Sequence, residues 1–148
     1  MFNWLQPRIA GARCLDLFAG TGALGLEALS RGAGEVVFVE SAGRVMRHLQ
    51  QQVQRLPVAD RVQLVESSAQ SYLASSPRLF DLVFIDPPWA EALQEQMLRL
   101  LTAGWLSTGA WVYVECEAGQ CLDEVPGYAL RKQKRIGQAQ CHLFDYGD

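Results

Sequence analysis

Cys14-Leu15-Asp16-Leu17-Phe18-Ala19-Gly20-Thr21-Gly22-Ala23-Leu24-Gly25 is the stretch on which the fold turns. The run Arg13–Phe18 is apolar with one embedded acid and predicts a buried strand. Gly20 to Gly25 fits the pattern G-x-G-x-x-G directly behind it, at the mouth of a helix over about Ala23–Arg31 that Gly32 and Gly34 end. A strand, a glycine turn and a helix in that order open an open-faced α/β sheet. Glycines put no Cβ in the way, so the backbone there can approach a ligand closely.

Reading outward, Glu35–Val39 is a second strand, and residues 42–56 keep Val45, Leu49, Val53 and Leu56 at helical spacing. Strands follow near Arg61–Val65, at Phe80–Ile85 and at Ala110–Glu115. A short helix is expected over about residues 68–75, and Leu93, Met97, Leu100 and Leu101 mark another. The tail changes character, with Tyr128–Ile136 and Gln138–Tyr146, broken at Gly137, reading as an antiparallel hairpin. Alternating strands and helices imply right-handed crossovers and a parallel sheet with helices on both faces. Residues 1–148 are expected to form one domain.

Composition agrees with that class. Of 148 residues, 49% are hydrophobic and 20% charged, enough for a core that needs no disulfide or metal. No apolar run approaches the ~18–20 residues of a membrane span, and the N-terminus lacks a basic start followed by an apolar core. Cys14, Cys116, Cys121 and Cys141 have no Cys-x-x-Cys spacing, so they are read as reduced thiols of a cytoplasmic protein, with no zinc site. His48 and His142, and Trp4, Trp105 and Trp111, read as structural. The formal charge of −3 excludes a wholly basic nucleic-acid binder. Arg131, Lys132, Lys134 and Arg135 nevertheless crowd four positive charges into five residues. They read equally as a phosphate-contacting stripe or as a charged edge strand kept from pairing.

Two acids flank the glycine loop. Glu40 ends the second strand, 20 residues after Gly20, where a carboxylate can accept from both ribose hydroxyls of a nucleoside. Dinucleotide enzymes and S-adenosylmethionine enzymes share this feature. Asp16 favours the second, because a carboxylate four residues before Gly20 repels pyrophosphate but suits an ammonium and a sulfonium. Asp86-Pro87-Pro88-Trp89 then follows the fourth strand, at the carboxyl edge where open α/β sheets place their chemistry. The prolines make a rigid bend, the carboxylate and a backbone carbonyl can accept from an exocyclic amine, and the indole offers a stacking face. These are the parts needed to hold a planar base by its exocyclic amine. Glu115 and Glu117 alternate with Cys116 and could face the cleft, but read rather as rim charges.

Residues 14–32, Val39-Glu40 and Asp86-Pro87-Pro88-Trp89 together resemble the RsmD family of bacterial 16S ribosomal RNA guanine-N2 methyltransferases. The resemblance runs from Phe2-Asn3-Trp4-Leu5 to the terminal hairpin. It implies a Rossmann-like class I methyltransferase with a seven-stranded sheet. It also implies S-adenosylmethionine contacts from Asp16, Gly20, Gly22 and Glu40, with Asp86 to Trp89 at the target base. Phe18, Ala19, Thr21, Gly25, Ser41, Ser68 and Ala69 complete the expected cofactor set. Ser67-Ser68-Ala69 stands where many such enzymes place an Asp or Asn toward the adenine amine. The resemblance further implies an N-terminal segment ahead of Phe2, which this chain is expected to lack. The expected partner is 16S ribosomal RNA or an assembling small subunit, met by a monomer. An adenine-N6 or protein-glutamine methyltransferase, an NAD-dependent oxidoreductase and a catalytically impaired binding module remain as alternatives.

Overall fold

A computed structural model describes residues 2–88, 92–119, 122 and 124–147. Trp89 and Cys121 lie outside the described residues. The elements run α1 (Phe2–Ile9), β1 (Arg13–Asp16), α2 (Ala23–Ser30), β2 (Glu35–Glu40), α3 (Gly43–Gln54), a 3₁₀ turn (Ala59–Arg61), β3 (Val62–Glu66), α4 (Ala69–Leu73), β4 (Phe80–Ile85), α5 (Gln94–Leu101), β5 (Leu106–Glu117), β6 (Tyr128–Ile136) and β7 (Ala139–Tyr146). They build one seven-stranded sheet in the order β3-β2-β1-β4-β5-β7-β6. The first five strands are parallel, and β7 inserts antiparallel between β5 and β6. This is the Rossmann-like class I architecture expected, terminal hairpin included.

Burial on both faces explains why the central strands read as near-continuous apolar runs. Phe38, Phe84, Trp111, Tyr113 and Leu143 pack with Leu5 and Ile9 of α1, Leu29 of α2 and Leu49 of α3. Leu15, Val37, Val83, Ile85, Val112 and Val114 pack on the opposite face with Leu73 of α4 and Met97, Leu98 and Leu101 of α5. Trp105 and Trp111 are buried, Trp4 packs partly against the first of these cores, and His142 is buried with its ring stacked on Phe144. Cys14, Cys116 and Cys141 are buried.

Three boundaries differ from expectation. β1 stops at Asp16, not Phe18, because Leu17 and Ala19 donate instead to Phe84 and Val39 carbonyls as the chain peels into the glycine loop. In α3 the inward residues are Met46, Leu49 and Val53, while Leu56 lies beyond the helix and is exposed. β5 begins at Leu106, four residues before the apolar run, because its pairing with β4 slips between Phe80 and Leu82 and takes Ser107 to Gly109 into the strand.

Candidate active site

The loop after β1 and the ends of β2, β3 and β4 meet at the carboxyl edge of the sheet. Gly20 and Gly22 both take left-handed backbone, at φ 55° and 82°, which an L side chain rarely adopts. Ala19 donates to the Val39 carbonyl at 2.9 Å, tying the loop to β2. The Glu40 carboxylate completes that tie, Oε1 accepting from the Gly20 N–H at 2.9 Å and Oε2 from the Ala42 N–H at 2.8 Å. Glu40 therefore shapes the loop as well as facing the cleft, and each oxygen keeps a further lone pair for a hydroxyl.

The third glycine of the pattern does a different job. A Cβ on Gly25 would lie 2.3 Å from Phe38 Cε1 and 2.7 Å from Cζ, so its absence lets α2 sit directly on β2. Gly25 is a packing residue, whereas a Cβ on Gly20 would meet nothing within 4 Å.

A cleft of about 400 Å³ opens along this edge. Its walls include Phe18, Gly20, Glu40, Ser41, Ser68, Ala69, Asp86, Pro87 and Pro88. Asp16, Ala19, Thr21, Gly22 and Gly25 lie outside its walls. No lysine, arginine or histidine lines it among the described residues, which leaves a pyrophosphate without a counter-charge. Ser68 caps α4, its Oγ accepting from the Ser71 N–H at 3.1 Å. A wider groove of about 910 Å³ runs under the hairpin beside Tyr128, His142 and Phe144, and contains none of the glycine-loop groups.

The electrostatics are those of crowded carboxylates. Asp16 is 1% exposed, and its Oδ2 accepts from the Gly25 N–H at 3.2 Å. Burial pushes its pKa from 3.8 up to about 7, and repulsion from Asp86 and Glu40 adds to the rise. Asp86 also rises to about 7, through burial first and then through the charge and hydrogen bond of Glu115. A cation placed among Asp16, Glu40 and Asp86 relieves this repulsion. Such a donor set fits an ammonium and a sulfonium.

The family described as Conserved hypothetical protein 95 matches residues 1–145. Ribosomal RNA small subunit methyltransferase D of Escherichia coli strain K12 is 41% identical over 146 residues, 97% of this chain and 73% of that protein. The chain belongs to the RsmD family. The Haemophilus influenzae protein of the same name is 37% identical over 148 residues, 97% of this chain and 77% of that one. The solved structure of Escherichia coli yhhF matches at TM-score 0.93 and 40% identity, covering 99% of this chain and 84% of that one.

Within this RsmD-family fold, Glu115 is the residue that sequence reasoning undervalued. It was expected at the rim, yet its side chain is hydrogen-bonded to Asp86. The signal available was a pair of consecutive strands expected to be parallel, Phe80–Ile85 followed directly by Asp86 and Ala110–Glu115 closing on Glu115. The basic stripe is divided by the β6 register. Lys132 and Lys134 pair with Leu143 and Cys141 and so share the α1 face, whereas Arg135 pairs with Gln140 on the other face. Arg131 sits in a bulge, bonded to Asp145 Oδ2 at 2.8 Å, with its guanidinium 4.8 Å above the Trp111 ring. Arg8 stacks 5.1 Å from the same ring, and Lys132 lies 6.0 Å from that of Trp4.

Proposed function

We propose that residues 1–148 form one S-adenosylmethionine-dependent domain that methylates the exocyclic N2 of a guanine in 16S ribosomal RNA. The observation that carries this reading is one cleft holding both the Glu40-pinned glycine loop and the Asp86-Pro87-Pro88 bend, with carboxylates and, among the described residues, no cationic side chain in its walls. The family names agree with ribosomal RNA as substrate.

Glu40 would hold the ribose hydroxyls, Ser68 and Ala69 the adenine end, and Asp16, beneath the loop, the positive charge. S-adenosylmethionine supplies an electrophilic methyl group on a sulfonium. The chain's own residues must then make an aryl amine reactive, since its lone pair is delocalised into the ring. Asp86 and a carbonyl of the Pro-Pro bend accept from the two N–H bonds, which favours a pyramidal nitrogen and stabilises the charge developing on it. In-line placement by the rigid bend contributes a further large factor. Once the nitrogen carries its new methyl it is acidic, and Asp86, raised to about 7, is matched to take the proton. Trp89 is assigned the stacking face against the base. Lys132 and Lys134, with Arg131 beside them and Arg135 on the opposite face, are the assigned phosphate contacts. No helix among the described residues is long and apolar enough to cross a membrane, and a cytoplasmic monomer is the form proposed.

The test is transfer of a radiolabelled methyl group to small subunits, or to their RNA, from cells lacking this enzyme, followed by nucleoside analysis. N2-methylguanosine is expected. Asp86→Ala should abolish transfer while S-adenosylhomocysteine affinity stays within a few-fold. Full turnover by that variant, or tight NAD binding without a response to S-adenosylhomocysteine, refutes the reading.

A further inference from the structure

β4 and β5 are parallel neighbours with Ile85 opposite Val114. The next residues, Asp86 just past the end of β4 and Glu115 still within β5, therefore follow side by side on one face of the sheet, and their side chains share a hydrogen bond. Glu115 is firmly placed. Its backbone pairs with Cys141 of β7, and its carbonyl accepts from Nε2 of the buried Gln94 at 3.2 Å.

Its position relative to the cleft is informative. The cleft runs over β1, β2 and β3 and ends at Asp86 and the Pro-Pro bend; Glu115 is absent from its walls. It lies past Asp86, over β5, on the side away from the glycine loop. A base whose amine meets Asp86 must approach from that side, because the loop side holds the cofactor. The edge of that base then lies against two carboxyl groups.

We propose that Glu115 is a substrate-reading carboxylate that accepts the N1–H of the target guanine while Asp86 accepts from its N2 amine. The inference rests on the guanine reading above and deepens it. Guanine presents adjacent donors at N1 and N2, matching two acceptors. Adenine presents its amine beside an N1 lone pair, which faces an ionised carboxylate unfavourably. In the transfer the N2 lone pair forms the new C–N bond, sulfur keeps the electron pair of the broken S–C bond, and the displaced N2 proton passes to Asp86 and then to water. Glu115 keeps the N1–H hydrogen bond throughout.

The groups facing Asp86 are Glu115 from β5, Asp16 from β1 and the Tyr113 hydroxyl, itself bonded to Cys141 Sγ at 3.1 Å. Gln94 of α5 fixes the Glu115 backbone. Removing the Glu115 charge therefore lets Asp86 ionise at lower pH.

The experiment uses the full chain with undermethylated small subunits, nucleoside analysis and a pH series. Glu115→Gln is expected to lower kcat/KM for N2-methylguanosine formation by about 10- to 100-fold, the range for a lost charge-assisted hydrogen bond. Its acid limb should move to lower pH, while S-adenosylhomocysteine binding is unchanged. Glu115→Asp keeps the charge and should hold the acid limb near the wild-type position, with a smaller loss of rate. Wild-type kcat/KM and acid limb in Glu115→Gln overturn the role of Glu115 alone. A wild-type product other than N2-methylguanosine overturns the guanine reading and this inference together, so the two failures are told apart.

Discussion

Asp16→Asn should make the cofactor-free protein more stable and a worse methyltransferase. The carboxyl is 1% exposed and has one backbone donor, the Gly25 N–H at 3.2 Å, which an Asn carbonyl oxygen can equally satisfy. Its pKa is raised in the fold from 3.8 to about 7, so between those values the unfolded chain ionises while the folded chain stays protonated. Stability therefore is greatest below about pH 4 and falls as pH rises through 7. At ~1.36 kcal/mol per pH unit, the ionised group costs the fold about 4 kcal/mol at pH 8, an upper bound because the core relaxes around it. The Asn variant lacks this term, so its advantage should widen by roughly 3 kcal/mol between pH 5 and pH 8. Asp86 is also raised to about 7, chiefly by burial and by Glu115, and slopes the same way in both proteins; only its repulsion with Asp16 differs, and the variant's loss of that repulsion widens the gap in the same direction. Urea unfolding at pH 5, 6, 7 and 8 reads the effect directly. Calorimetry with S-adenosylmethionine should show wild-type affinity rising toward pH 7.5 as Asp16 ionises, with the variant weaker and flatter. A variant that is no more stable than wild type at pH 8, or whose cofactor affinity follows the wild-type curve, refutes the reasoning.

Glu40→Ala removes the acceptor for both the Gly20 and Ala42 N–H groups, so it should cost about 1–2 kcal/mol of stability in the cofactor-free protein as well as at least tenfold in S-adenosylhomocysteine affinity. Unchanged binding in titration calorimetry would count against Glu40 as a cofactor ligand. Reversing Lys132 and Lys134 to Glu should weaken RNA binding and flatten the slope of log K against log salt by about 1.4–1.8, at ~0.7–0.9 per phosphate contact. A slope equal to wild type in a filter-binding series assigns these residues to the charged-edge role instead.

Local signals carried the parallel half of the fold. Strands and helices alternate with clear apolar periods, and the central parallel strands are near-continuous apolar runs because helices cover both their faces, whereas the edge strand β3 carries Gln63 and Glu66. The ends were less legible. Leu17 and Phe18 look like strand residues, yet β1 ends at Asp16: Leu17 still donates to the Phe84 carbonyl of β4, and by Ala19 the chain has turned to the Val39 carbonyl of β2. Ser107 and Thr108 precede the strand expected from Ala110, yet the register slip between Phe80 and Leu82 takes them into β5. Within the site, Gly20 and Gly25 are alike on paper. One faces open space and the other is closed by the Phe38 ring, a difference that only the helix-to-sheet distance creates.

The sequence by itself determined the α/β class, the glycine loop, the acid after β2 and the Asp86-Pro87-Pro88 bend. These depend on residue types at short fixed spacings, and local chemistry is written in order along the chain. Tertiary structure alone decided which carboxylates interact. Asp16, Glu40, Asp86 and Glu115 come from four strands spread over 100 positions, and their coupling depends on sheet order and register. Burial shared between neighbours then moved Asp16 and Asp86 to about 7, because a charge's energy depends on what surrounds it and not on what precedes it. The same register divided a basic run that looked continuous. Side chains alternate across a strand, so adjacent charges face opposite ways unless a bulge such as that at Arg131 intervenes.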